Sequence, residues 1–540
     1  MTSTSPSWGW TRWLALGVGF VAVALFVAWP AIDGEFLSDD YLYIVNNLYV
    51  HGLSAENVLA ILHPFGPPTI YTLNYAPVHL LLHAAQWELV GEATRLYHVS
   101  NAVAHALTSL LLVPFFVRAG IPAGAATLGA LLFLVHPANL ETVAWIFQLK
   151  TIVALALSLG ALLLHERRPA AGAALFALAL LTKVTAVGVL PVLVVQSWIR
   201  ARREPATPPR WGWVAAWVVI TLAIVVPEMT AFQRQADVRI LIHEDPWVHA
   251  RTIFAIAARY LWMAATGLGV AAFHEPTPAV SWLDGAWLAG LAALVAIGAR
   301  TLVTLLRGDE EACLWVFAAA AFGPVSQIFP FIFPMGDRYL YPILPGLIGA
   351  ALLGLRPAWA WSAARLDARG PADLARRLGV AAALGACVWF AASSRERAPV
   401  FASNQALMTD AALRYPDGMQ AHLLRGHRAA LEGNAEAAAR AYDRAIDLGF
   451  SDLQALLTNA ALDRVRRAPP FVRVMQKLAR LDIARLGRHE RPEQSELIRL
   501  AIAHELLGDR DAARASLERA RTAPGPFAEE IERRIANLGR

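Results

Sequence analysis

The sequence predicts an all-α protein: a polytopic membrane helical bundle of about 11 transmembrane helices, followed by a C-terminal helical-repeat domain. Three observations carry this. Hydrophobic residues make up 57% of the chain and charged residues only 16%, a balance suited to repeated membrane crossing. The apolar residues gather in runs approaching the roughly 20 that span a hydrocarbon core. Beyond residue 393 those runs stop, and an Ala-, Arg-, Glu- and Leu-rich sequence with helical periodicity takes over.

Apolar stretches lie near residues 12–31, 97–117, 122–135, 145–164, 170–182, 184–199, 212–227, 282–305, 312–330, 338–355 and 377–393. The first follows a short polar lead with one Arg, and no small-residue cleavage site comes after it, so a retained helix is expected. The 18 Trp supply interfacial belts. The net charge of +5 resides largely in Arg-rich short loops, a topology signal and not a nucleic-acid footprint. Arg118, His165 to Arg168, Arg200, Arg202, Arg203, Arg210, Arg300, Arg307 and the set Arg356, Arg365, Arg369, Arg376, Arg377 are expected to be cytoplasmic.

Two conditions make that assignment consistent. The stretch 170–199 must be a tight two-helix hairpin, and the apolar segment 251–272 must lie on the surface or re-enter, with Arg251 and Arg259 on its polar side. Residues 32–96 and 228–281 then form two outer loops, residues 1–395 one membrane domain, and residues 396–540 emerge on the outer side. Cys313 and Cys387 both sit in apolar runs and imply neither a disulfide framework nor a zinc site.

Within 396–540, Met419 to Phe450 carries Gly426, Gly433-Asn434, Ala438, Tyr442 and Ala445. Gln494 to Pro524 repeats that spacing with Ala501, Gly508-Asp509, Ala513, Leu517 and Ala520. Small residues at these offsets let antiparallel helices pack closely, and the Gly-Asn or Gly-Asp pair makes the turn. This is the tetratricopeptide pattern, with a degenerate repeat expected between the two around Pro469-Pro470.

The candidate chemistry begins at Ser38-Asp39-Asp40-Tyr41, two adjacent acids just past the first apolar run, where charge near hydrocarbon is costly. His136, Glu141, Lys150, Lys183, Asp337 and Arg338 map to the same outer interface. Acids there suit a general base, and the cations suit a lipid-borne phosphate or simple headgroup anchoring. His98, Asn101 and His105 share one helix face, where hydrogen bonding to neighbouring helices is favoured over metal ligation. No glycine-rich phosphate loop, Ser-His-Asp arrangement or nucleic-acid motif occurs.

Phe36-Leu-Ser-Asp-Asp40, Asn74-Tyr-Ala-Pro77, Tyr97-His98 with Asn101 and His105, His136-Pro-x-x-x-Glu141-x-Val-Ala-Trp145, Lys150, Lys183 and Asp337-Arg-Tyr-Leu-Tyr341 occur in this order. Together they resemble the transmembrane and tetratricopeptide repeat-containing O-mannosyltransferase-like proteins and their bacterial relatives, within the GT-C superfamily of membrane glycosyltransferases. The resemblance covers essentially the whole chain. It implies an enzyme with a GT-C-like fold, using a polyprenyl-phosphate-linked, mannose-like sugar donor and inverting at the anomeric carbon. The acceptor would be a protein hydroxyl or another periplasmic group, and the repeats would present a surface to a protein acceptor or partner. Asp39 would be the base and Asp40 its partner; His136 and Glu141 would shape the donor site; Lys150, Lys183 and Arg338 would hold phosphate. Two positions depart from the family: Gln148-Leu149-Lys150-Thr151 stands where relatives carry Glu-Arg-Lys-Asp, and Asp337 replaces the Glu of a Glu-Arg-Tyr motif. No cofactor is expected, with a divalent metal left open.

The implied setting is the inner (plasma) membrane, with the repeats on the periplasmic or extracellular side. A reading from a different class is a non-catalytic membrane scaffold recruiting proteins through its repeats. A transporter is disfavoured, because the sequence lacks two matching halves with Gly- or Pro-interrupted spans.

Overall fold

The computed structural model describes residues 8–204, 210–233, 242–328, 333–354, 371–487, 492, 494–523 and 527–539, and among these every regular element is helical. The chain divides into two compact units, Met1–Leu407 and Met408–Arg540.

In the first unit, all eleven apolar stretches contain helix. Seven helices are long and apolar enough to cross a membrane, eight if the bent pair Ala123–Val135 and Pro137–Ala144 is one span. Pro169–Thr182, Glu311–Val325 and Leu344–Gly354 are shorter apolar helices, which reach across only with neighbours or local thinning. This is the signature of a multi-pass membrane protein. Small residues set the closest approaches: a Cβ on Gly346 would stand 2.5 Å from the Leu314 carbonyl oxygen, so Leu344–Gly354 lies directly on Glu311–Phe322.

The bundle has two chemically distinct ends. At one, Arg118 and Arg200 pair with Glu166, Arg203 with Glu310, and Arg300 with Glu311. Arg202 and Arg203 also donate to the carbonyls of Leu306 and Gly308. The basic loops read from the sequence therefore do gather at a common end. Arg356, Arg365 and Arg369 lie outside the described residues, as does the side chain of Arg376. The opposite end carries the turns around residues 33–40, 136–148 and 336–341.

Two expectations are corrected. Residues 170–199 do descend and return, but not as a tight hairpin: Trp211–Gln233 packs against both Pro169–Thr182 and Val189–Arg203, with Trp217 stacked on Phe176 at 4.1 Å. The stacked aromatic pair seats Trp211–Gln233 against Pro169–Thr182. The segment 251–272 is the helix Pro246–Thr266, whose two ends meet the same end of the bundle: His249 Nε2 bonds the Gln327 carbonyl, and the Tyr260 hydroxyl bonds both the carbonyl and N–H of Gly336. It packs along Gly285–Arg307. Its Arg251 is not on a polar side; it is buried and donates to the carbonyls of Ala279 and Val280, while Arg259 reaches Thr277. The returning loop has carbonyls to satisfy, and the guanidinium is the available donor.

The second unit has its own apolar core, including Ala430, Tyr442, Leu456, Phe471, Leu478, Ala501 and Leu517. Met419–Leu431 with Ala435–Asp447, and Gln494–Leu506 with Arg510–Thr522, form two antiparallel hairpins with the same turn. Gly433 (φ +77°) and Gly508 (φ +80°) end the first helices in the left-handed conformation. Asn434 and Asp509 then cap the second helices by accepting from Ala437 N–H and Ala512 N–H. Between them, Pro469–Leu486 is a single longer helix preceded only by the short Leu453–Thr458 and a 3₁₀ turn.

Candidate active site

The acidic pair divides its labour. Asp40 is wholly buried; its Oδ2 accepts from Leu37 N–H and its Oδ1 from Phe147 N–H, both at 2.7 Å. Trp145 Nε1 donates to the Leu37 carbonyl at 3.2 Å. Asp40 thereby fastens the turn 36–40 to the turn 145–148, two segments more than a hundred residues apart. Burial pushes its carboxyl well above the usual carboxylate range, against the pull of the two backbone N–H groups.

Asp39 is half-buried, and among the described residues no donor lies within hydrogen-bond distance of it. It is presented by Ser38, whose φ of +42° is in the left-handed region that a side chain disfavours. Such backbone costs about 1–3 kcal/mol and persists only where its surroundings enforce it. Here Ser38 N–H donates to Asn404 Oδ1, while Asn404 N–H donates to Glu35 and its Nδ2 to the Phe36 carbonyl. The Asp39 carboxylate acts electrostatically on Lys150, Arg338, Tyr339 and Tyr43.

Lys150 Nζ sits over the Phe147 ring, 3.7 Å from its centroid, and faces the charges of both Asp39 and Glu228. Lys183 Nζ donates to Thr151 Oγ1 at 2.7 Å, and Thr151 in turn to Gln148 Oε1. From Lys183 a narrow cleft runs between helices, lined by Ala154, Leu155, Ser158, Val189, Phe317 and other small or apolar residues.

The remaining predicted site residues hold the frame. Arg338 gives its backbone N–H to Glu141 Oε2 at 2.7 Å and its Nη1 to Glu141 Oε1, with the rings of Trp145, Phe333 and Tyr339 around it. The charges of Glu141 and Asp39 face its guanidinium. Asp337 accepts from His274 Nε2 at 2.6 Å and from Ala271 N–H at 3.1 Å, tying down the loop after Pro246–Thr266. His136 spends both ring nitrogens on backbone, the Ala264 carbonyl and Ala138 N–H. Asn101 donates to the Trp145 and Ile146 carbonyls, His98 contacts the Gly34 carbonyl, and His105 bridges Tyr341 and the Leu134 carbonyl. Of the trio, His105 bonds a neighbouring helix at Leu134, whereas His98 and Asn101 bond turns. Among the described residues no three His, Cys, Asp or Glu side chains assemble as a ligand set.

Sequence reasoning missed several participants. Glu228 accepts from Tyr75 N–H at 2.5 Å, anchoring the Asn74–Pro77 motif; an acid after Pro227 inside an apolar run was its visible signal. His79 and His83 face each other at 2.8 Å between Nε2 atoms, with His83 Nδ1 bonded to Gln86, and their i, i+4 spacing was legible. Asn404, 366 residues from Ser38, gave no local signal.

No family model matches the chain. Over 152 residues it is 32% identical to a human protein, protein O-mannosyl-transferase TMTC4; the match covers 24% of this chain and 20% of that protein. The resemblance read from the motifs is borne out by this match. The chain therefore covers about a fifth of the length of the curated relative it matches. It also aligns, over 94% of its length and 80% of the other chain, with the crystal structure of ArnT from Cupriavidus metallidurans bound to undecaprenyl phosphate, at a TM-score of 0.36 and 15% identity.

Proposed function

We propose that the chain is an integral-membrane glycosyltransferase of the GT-C type, transferring a mannose-like sugar from a polyprenyl-phosphate donor to a protein hydroxyl on the outer side. The observation that carries this reading is Asp39: a half-buried carboxylate on a strained turn, without a hydrogen-bond donor among the described residues, facing buried Lys150. A solvated loop acid needs none of that support. The sequence match to a protein O-mannosyl-transferase favours the same class.

In this reading the acceptor hydroxyl gives its proton to Asp39 as its oxygen attacks the anomeric carbon. The bond from that carbon to the phosphate oxygen breaks, the electron pair leaves with the lipid phosphate, and the configuration inverts. Lys150 and Lys183 neutralise the departing phosphate, and the apolar cleft below Lys183 takes the isoprenoid chain. Arg338 is assigned less than the motif implies, because Glu141 already occupies it. It braces Trp145 and keeps Glu141 paired. Asp40 positions the catalytic turn and does not touch substrate.

The test is turnover of lipid-linked sugar by membranes carrying Asp39→Asn. Removing a general base should lower turnover about 10²- to 10⁴-fold with the thermal midpoint unchanged. Turnover equal to wild type would remove Asp39 as the base.

A further inference from the structure

At the Arg-rich end, away from the proposed chemistry, a narrow cleft is lined by Arg118, His165, Glu166, Gln196, Ser197, Arg200 and Arg210 with Leu193. Donors outnumber acceptors there. Glu166 is the one carboxylate in the lining, and Arg118 and Arg200 share it. Arg118 also spends Nη1 on the carbonyls of Leu162 and Leu163, and Arg200 spends Nε on Glu204. The side chains of Arg210, Gln196 and Ser197 have no partner among the described residues. His165 is 4% exposed, and its Nδ1 is buried without a hydrogen bond. A buried polar atom without a partner is costly. Trp211 and Trp213 follow Arg210 at the start of the next span, the position of an interfacial belt.

We propose that this cleft binds a phosphate group, presented by an anionic phospholipid of the adjoining leaflet or free in solution. Arg210 and the unused edge of Arg200 supply charge; Ser197, Gln196 and His165 supply hydrogen bonds to the phosphate oxygens. The groups facing His165 are Arg118, Arg200 and Arg210 on the cationic side and Glu166 on the anionic side. The balance favours an anion even with His165 neutral. Basic pockets between membrane helices recognise lipid headgroups by the same arrangement. The inference does not depend on the catalytic reading, since it concerns the opposite end of the bundle.

The full chain, purified in a neutral detergent, is offered phosphatidylglycerol or phosphatidylcholine and read by native mass spectrometry. In parallel, its thermal midpoint is measured in inorganic phosphate against chloride at matched ionic strength. Wild type should retain phosphatidylglycerol in preference to phosphatidylcholine. Arg210→Ala should weaken that retention about fivefold, and Gln196→Leu should weaken it without changing charge. Arg167→Ala, an exposed arginine on the same turn as His165 and outside the cleft, should retain the lipid as wild type does. Protection by inorganic phosphate without lipid preference assigns the cleft to free phosphate. The proposal fails if neither phosphatidylglycerol nor phosphate is held above its control. It fails equally if Arg167→Ala loses as much as Arg210→Ala, or if both cleft variants bind as wild type.

Discussion

Under the proposed function, single residues decide which acid is the base and which holds the fold. Asp40→Asn keeps one acceptor but turns an amide toward either Leu37 N–H or Phe147 N–H, leaving a buried donor unmatched. The expected loss is about 1–3 kcal/mol, read as a lowered thermal midpoint together with reduced turnover. Asp39→Asn should reduce turnover alone, so the two variants separate by stability. The buried histidines set the response to acid. Burial holds His83 down to about 4 from an ordinary 6.5. The unfolded chain therefore binds a proton more readily than the folded one, and stability present above pH 6.5 is lost as pH falls toward 4. Thermal midpoints between those limits should decline with acidification, and His83→Gln should flatten the slope. A pH-independent midpoint in wild type would contradict the assignment.

Elements are positioned by close approach and by backbone ties more than by apolar pattern. The helix Pro246–Thr266 crosses Gly285–Arg307 where Gly290 meets Phe254; a Cβ there would lie 1.9 Å from the Phe254 carbonyl oxygen. Gly290→Val must drive the two helices apart, at about 1–3 kcal/mol or more. Gly285 opens onto empty space, and Gly285→Ala should be neutral or slightly stabilising. Detergent-solubilised midpoints for the two variants distinguish a packing requirement from a general intolerance of side chains on this helix. The hydropathy of 251–272 was legible. The burial of Arg251 was not, because the carbonyls it satisfies belong to a loop that folds back more than 25 residues later.

For the whole molecule, the segment through Asn404 is tied to Glu35, Phe36 and Ser38, so the chain leaves the first unit at the end that carries Asp39. With the basic loops cytoplasmic by the positive-inside rule, residues 408–540 should be exported. A reporter fused after Arg540 should be active on the outer side of the membrane. Activity in the cytoplasm would separate the helical hairpins from the proposed acceptor site and favour a scaffold role.

By itself the sequence determined the helical class, the apolar stretches, the gathering of basic loops and the change of character in the C-terminal region. All of these follow from local period and composition, which single helices express without tertiary help. It also placed Asp39, Lys150 and Lys183 as candidates. Tertiary structure alone decided that Asp40 is a fastener, that Glu141 claims Arg338, and that Asn404 holds the turn beneath Asp39. Those roles depend on which buried donors and acceptors meet across long stretches of chain. A buried polar group must find its partner wherever the fold brings one, and no local pattern records that distance.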